Sequence, residues 1–305
     1  VNWEEKMSAA PVKTEVERVS RIRPGHADFT GAIKYGHTDI RNVIERSSSR
    51  ETASRVAVGG LCRQLLTQFG ITIHSHVLSI VDVGYDVPRP ITRDAYSEEM
   101  WTAVEASPMR CADAQLTERM IARILEAKRQ GDTCGGVFEV VAQGVPIGLG
   151  SYSQWDRRLG ARLGMAMMSI PSVKAMEIGA GFGASRMTGS HIHDVLRRSE
   201  EGRWYHLSNN AGGLEGGITN GEPLVVRVGV KPIPTLAHPL PSVDLASGEN
   251  IEQSRYERSD VCVVPAAGVV GEAMMAIVLT EAMIEKFGGD SIEEMISNFR
   301  SAVDV

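Results

Sequence analysis

The sequence has no CxxC pair, and Cys62, Cys111, Cys134 and Cys262 lie far apart. That excludes a zinc ribbon or a small disulfide-stapled fold and points to reduced, cytoplasmic thiols. An excess of positive charge is also missing. With a formal net charge of −6 over 305 residues, a general nucleic-acid binder is excluded and any basic cluster must be local. There is no low-complexity tract, fixed-period repeat or obvious linker, so one domain over 1–305 is expected. A signal peptide is not visible either, because the chain opens on the mostly polar Val1-Asn2-Trp3-Glu4-Glu5-Lys6. The most apolar window, 261–279, is interrupted by Pro265 and Glu272, which suits a buried core helix rather than a membrane span.

Two glycine-rich segments, 132–136 and 208–217, lack both the dinucleotide fingerprint and the P-loop spacing. His74-x-His76 and His191-x-His193 would each put two imidazoles on one side of a strand, but no third ligand accompanies them and no metal site is expected.

What is present is a mixture of helical and strand periodicities. Positions 52–69 read as a helix with Val56, Leu61, Leu65 and Phe69 near one face, a Ser48/Glu51 capping box before it and Gly70 after it. Positions 71–83 alternate and are β-branched, which predicts a strand. Further helices are expected over 116–129 (through Met120, Ile121, Ile124 and Leu125), 157–170, 269–287 and 292–303, and further strands over 137–145 and 224–230. No regular βαβ alternation emerges, so the expected class is α+β.

The densest chemistry lies within 23–52. Arg23-Pro24-Gly25-His26-Ala27-Asp28 and Arg46-Ser47-Ser48-Ser49-Arg50 gather cations, hydroxyls and a histidine around glycine, as a phosphorylated ligand requires. Arg46 and Arg50 are expected at the N-terminus of the 52–69 helix, where cations oppose the helix dipole and an anionic ligand would relieve them. Arg258 and Asp260 precede the apolar window; with Asp260 partly desolvated and kept ionised by Arg258, it is a candidate base or proton relay. Lys231-Pro232-Ile233-Pro234-Thr235 is a stiff loop, readable as a connector or as a rigid wall for a planar ligand.

Seven ordered blocks carry a family resemblance: RPGHADFTGAIKYG (23–36), RSSSRETASRVAVGG (46–60), GDTCGGVFEVVAQGVPIGLG (131–150), QWDRRLGARLG (154–164), SNNAGGLEGGITNGEP (208–223), KPIPT (231–235) and RSDVCVVPAAGVVGEA (258–273). Together they resemble chorismate synthase, with Ser49 standing where that family usually has Ala or Gly. The resemblance implies a β-α-β sandwich assembled as a homotetramer. It implies anti-1,4-elimination of phosphate from 5-enolpyruvylshikimate 3-phosphate to give chorismate, with reduced FMN required and NADPH as ultimate reductant. By the same resemblance His26 is the acid beside the flavin and Asp260 assists proton removal. Arg46, Ser47, Ser48, Met165, Ala166, Gly216, Lys231, Pro232, Ile233, Pro234, Thr235 and Arg258 hold FMN, and Arg23 and Arg50 bind substrate. The family's amino-terminal Gly-Glu-Ser-His-Gly motif, with its second histidine, has no counterpart here. The sequence is therefore either part of a longer chain or a truncated flavin- or anion-binding fragment of the same fold.

Overall fold

The computed structural model describes residues 18–85 and 95–303; the opening Val1 to Lys6 lies outside them. The chain divides into two compact units, one made of Val1–Ser49 with Pro234–Ser259, the other of Arg50–Ile233 with Asp260–Val305.

In the smaller unit, helices α1 (Asp28–Tyr35) and α2 (Arg41–Arg46) pack through Ala32, Ile40 and Val43. A Cβ on Gly31 would sit 2.5 Å from a Val43 methyl, so the residue must be glycine for the helices to approach this closely. Gly36 (φ +68) ends α1 in the left-handed conformation and returns its N–H to Ala32 O. A short ribbon, Ser242–Val243 against Asn250–Ile251, joins this unit through Ile22 N–H to Val243 O.

The larger unit contains helices α3 (Thr52–Thr67), α4 (Glu98–Ala106), α5 (Ala114–Arg129), α6 (Leu159–Met168), α7 (Val264–Phe287) and α8 (Ile292–Val303). Strands β1 (Thr72–Ile80), β2 (Val83–Gly84), β3 (Gly136–Gln143), β4 (Val173–Ile178) and β5 (Leu224–Val230) form one sheet in the order β2-β1-β3-β5-β4. Every adjacent pair is antiparallel, and the mixed architecture is the expected α+β class.

α7 lies on one sheet face. It is apolar around most of its circumference, long enough to cross a membrane, and largely buried inside the fold. Pro265 sits in its first turn, where no intrahelical N–H is required, so the helix begins upstream of the expected 269. Small residues set its depth: Cβ atoms on Gly268 and Gly271 would meet Ser75 Oγ at 2.9 Å and the Phe138 ring at 2.7 Å. Its one buried carboxylate, Glu272, accepts from Ser75 Oγ (2.7 Å), Arg63 Nη1 (2.7 Å) and Arg110 Nη2 (2.8 Å). α3 crosses α7 at Gly59, and its buried side is Gly59 and Leu66 with Val56, Cys62 and Leu65 against them. Leu61, expected on that side, is exposed, as is Leu125 on α5; each sits a little outside the buried arc of its helix.

The opposite sheet face carries a polar row. His76, Glu139 and Arg227 lie directly across from one another on β1, β3 and β5. Glu139 accepts from Arg227 Nε (2.8 Å) and the Tyr96 hydroxyl (2.8 Å), and His76 Nε2 lies 3.0 Å from it. Trp101 of α4 stacks on His74 and on Tyr96 above this row. Burial alone would push the Glu139 pKa up, yet His76 and Arg227 hold it down to about 2.

Two outcomes follow. Because the folded-state pKa of Glu139 is depressed, its contribution to stability is present above about pH 4.5 and lost as pH falls towards 2. The urea midpoint of the wild type should therefore drop across that window, and Glu139→Gln should flatten the drop. Second, a Cβ on Gly59 would meet Ala273 Cβ at 2.4 Å, whereas one on Gly60 meets nothing. Gly59→Ala should cost about 1–3 kcal/mol in urea unfolding, while Gly60→Ala should be neutral or stabilising by up to about 1 kcal/mol.

Candidate functional site

In the smaller unit the chain turns at Pro24-Gly25, with Gly25 at φ +76, and enters α1 at Asp28. That turn folds Arg23, His26 and Asp28 together. Asp28 is fully buried, and its Oδ2 accepts from Arg23 N–H (3.1 Å) and Nε (2.9 Å). Its Oδ1 accepts from Arg23 Nη2 (3.0 Å) and lies 2.5 Å from His26 Nδ1. Burial would raise the Asp28 pKa, but hydrogen bonds from His26 and Arg23 overcome it and hold the carboxyl well below the ordinary carboxylate range. Arg23 completes its fork by donating Nη1 to the Thr235 hydroxyl (3.1 Å), with Glu257 3.8 Å away. The structure thus gathers Arg23, His26 and Thr235 from among the expected residues. Asp28 was not singled out in the sequence, although an acid two residues after the histidine and five after the arginine is the signal that could have found it.

Arg46 is placed differently from expectation. It is an exposed residue in the last turn of α2, where a cation suits the helix dipole, not at the start of the next helix. Ser47 caps that same end, its hydroxyl donating to Val43 O (2.7 Å). Ser49–Glu51 forms a 3₁₀ turn leading into α3, so Arg50, also exposed, does precede a helix; Glu51 occupies the cap position without a side-chain capping bond.

In the larger unit, Gly216 and Gly217 (φ +61 and +90) make the two-residue turn between Leu214–Glu215 and Ile218–Thr219. Gly216 is exposed, and nothing lies within 4 Å of where its Cβ would be. The approach to this turn is organised by Asp194, another residue the sequence reading passed over. Its carboxylate accepts from the Ser208 hydroxyl (2.5 Å) and the N–H groups of Asn210 and Ala211 (2.8 Å each). Met165 of α6 is exposed, whereas Ala166 is buried in the core, so only the first of that pair presents its side chain.

The expected stiff loop follows β5. Lys231 N–H donates to Ser172 O (2.9 Å), and Ile233 O accepts from the Thr133 hydroxyl (2.7 Å). A Cβ on Gly135 would lie 2.9 Å from the Pro232 ring, so glycine lets β3 pack under the loop. Burial, with Lys174 nearby, pulls the Lys231 pKa below the usual lysine range, an environment that would welcome an anion. Arg258 and Asp260 are both exposed, so the partial desolvation expected of Asp260 is absent. His191 lies in the short helix Gly189–Ile192 rather than on a strand, and no cluster of three metal-ligating side chains exists among the described residues.

Each unit thus presents groups of the kind an anion requires: the exposed Arg46 and Arg258 in the smaller, and the exposed Arg50 with the half-buried Lys231 in the larger. A family model described as Chorismate synthase matches residues 2–284. A chorismate synthase of Geobacter sulfurreducens is 50% identical over 312 residues, spanning 100% of this chain and 78% of that protein. One from Trichlorobacter lovleyi is 52% identical over 305 residues, spanning 97% and 76%. A solved structure named "Crystal Structure of Chorismate Synthase" superposes with a TM-score of 0.78 at 44% identity, covering 91% of this chain and 76% of that one.

The loop architecture has a direct check. Asp194→Ala removes the acceptor of two backbone N–H groups, so hydrogen exchange at Asn210 and Ala211 should accelerate by about tenfold or more while the β3 amides keep their protection.

Proposed function

The chain belongs to the chorismate synthase family, lyases that require a reduced flavin, and we propose that it eliminates phosphate from 5-enolpyruvylshikimate 3-phosphate in the anti-1,4 sense to give chorismate, with FMN as the flavin. The observation that carries the reading is the preformed Arg23–Asp28–His26 cluster, a titratable side chain fixed beside a buried ion pair. General acid–base chemistry needs that positioning before it needs a particular pKa.

Reduced FMN, when bound, supplies electron density to the elimination with no net redox change. Arg46, Ser47 and Ser48 would hold its phosphate, and Met165, Gly216, the 231–235 loop and Arg258 would line the rest, with Ala166 supporting Met165 from the core. NADPH is the ultimate reductant. Loss of phosphate leaves negative charge that fixed cations stabilise, a task for Arg50, whose guanidinium is exposed. Arg23 acts differently: its donors are engaged by Asp28 and Thr235, so it contributes positive potential and holds His26 in place. Asp260, exposed at the surface, would take up the proton removed from the ligand. The working form is a cytoplasmic homotetramer acting on a small molecule, without nucleic acid or membrane.

The test is chorismate formation from 5-enolpyruvylshikimate 3-phosphate and reduced FMN under anaerobic conditions. The wild type should turn over. His26→Ala and Asp260→Ala should each lose about 10²-fold or more in kcat with FMN still bound, and Arg50→Ala should chiefly raise KM. No chorismate from the wild type would overturn the reading, and an unchanged KM in Arg50→Ala would remove that residue from the substrate site.

A further inference from the structure

A histidine that exchanges protons with a ligand must present one defined nitrogen, because the neutral ring carries its hydrogen on only one of two. Two polar side chains contact His26, those of Asp28 and Arg23, and Arg23 in turn donates to the Thr235 hydroxyl. Arg23 Nη2 lies 3.1 Å from Nδ1 and 3.4 Å from Nε2, so it does not discriminate between the two nitrogens. Asp28 does. Its Oδ1 lies 2.5 Å from Nδ1, and the same carboxylate is fully buried and held by three bonds from Arg23. A carboxylate bound by a guanidinium is ionised and can only accept, so the hydrogen of that contact belongs to the imidazole.

We propose that Asp28 is a positioning residue for the elimination: its buried carboxylate fixes the Nδ1–H tautomer of His26, making Nε2 the nitrogen that exchanges a proton with the bound ligand. The inference rests on the reading of His26 as the acid and adds a residue that never touches the ligand. Burial matters to it. With the Asp28 side chain wholly enclosed and that of His26 19% exposed, the orienting end of the ring is dry while the ring itself reaches the surface. An amide in place of the carboxylate keeps the size but can donate to Nδ1, which would move the ring hydrogen to Nε2, the wrong end. Glu257, 3.8 Å from Arg23 Nη1 and paired with Arg255, is the only other carboxylate that the described residues bring to Arg23.

The experiment has two parts. On the wild type, nitrogen-15 imidazole NMR at a pH where the ring is neutral should show His26, assigned by the signal lost in His26→Ala, as the Nδ1–H tautomer. In Asp28→Asn the tautomer should invert, and kcat should fall by about 10²-fold or more while KM and the FMN dissociation constant stay within about threefold. An Nε2–H tautomer in the wild type overturns the proposal without any variant having to fold, and so does full turnover in a folded Asp28→Asn. If His26→Ala is itself fully active, the acid role fails instead, and the tautomer measurement still reports on Asp28.

Discussion

One face of the sheet in the larger unit is organised around a buried carboxylate on α7. Glu272 lies mid-way along an otherwise apolar helix, and the structure meets it with Arg63 from α3, Ser75 from β1 and Arg110 from the loop before α5. An uncompensated charge at that depth would be prohibitive, so helix, strand and loop are obliged to meet at one place. The glycines of α7 then allow the sheet to approach closely enough for the bonds to form, and Gly59 brings α3 against the other side. In the same unit the Lys231–Ile233 segment after β5 is pinned by Ser172 and Thr133, and α7 begins at Val264.

The smaller unit follows a different physical logic. Its apolar core is slight, and its order around the candidate acid comes from charge: an aspartate enclosed by an arginine fork and an imidazole. Such groups are set before any ligand arrives, which is the condition under which fixed charges assist a reaction rather than reorganise during it. The family's elimination asks for that kind of help, because phosphate leaves with its charge and a proton must go elsewhere.

Much of this was legible in the sequence where periodicity was long and unbroken. Strand Leu224–Val230 and helix Ile292–Val303 fall where alternation and heptad-like spacing put them. Helix α7 runs further upstream than expected because proline is tolerated in a first turn. Arg46 was assigned to the wrong helix end because α2, at six residues, is too short to leave a periodic trace. Leu61 and Leu125 illustrate that apolar spacing does not define the buried arc to within a residue. The division into two units was hidden, since its second segment, Pro234–Ser259, is remote in sequence from the first. Asp28 owes its role to burial rather than spacing, since enclosure is what turns a neighbouring acid into an orienting group.

The central claim is that the Arg46, Ser47 and Ser48 end of α2 would hold a flavin phosphate. A crystal structure of the chain with FMN tests it most directly. The phosphate should lie within hydrogen-bond distance of Arg46, Ser47 and Ser48. A flavin bound away from all of these residues would contradict it.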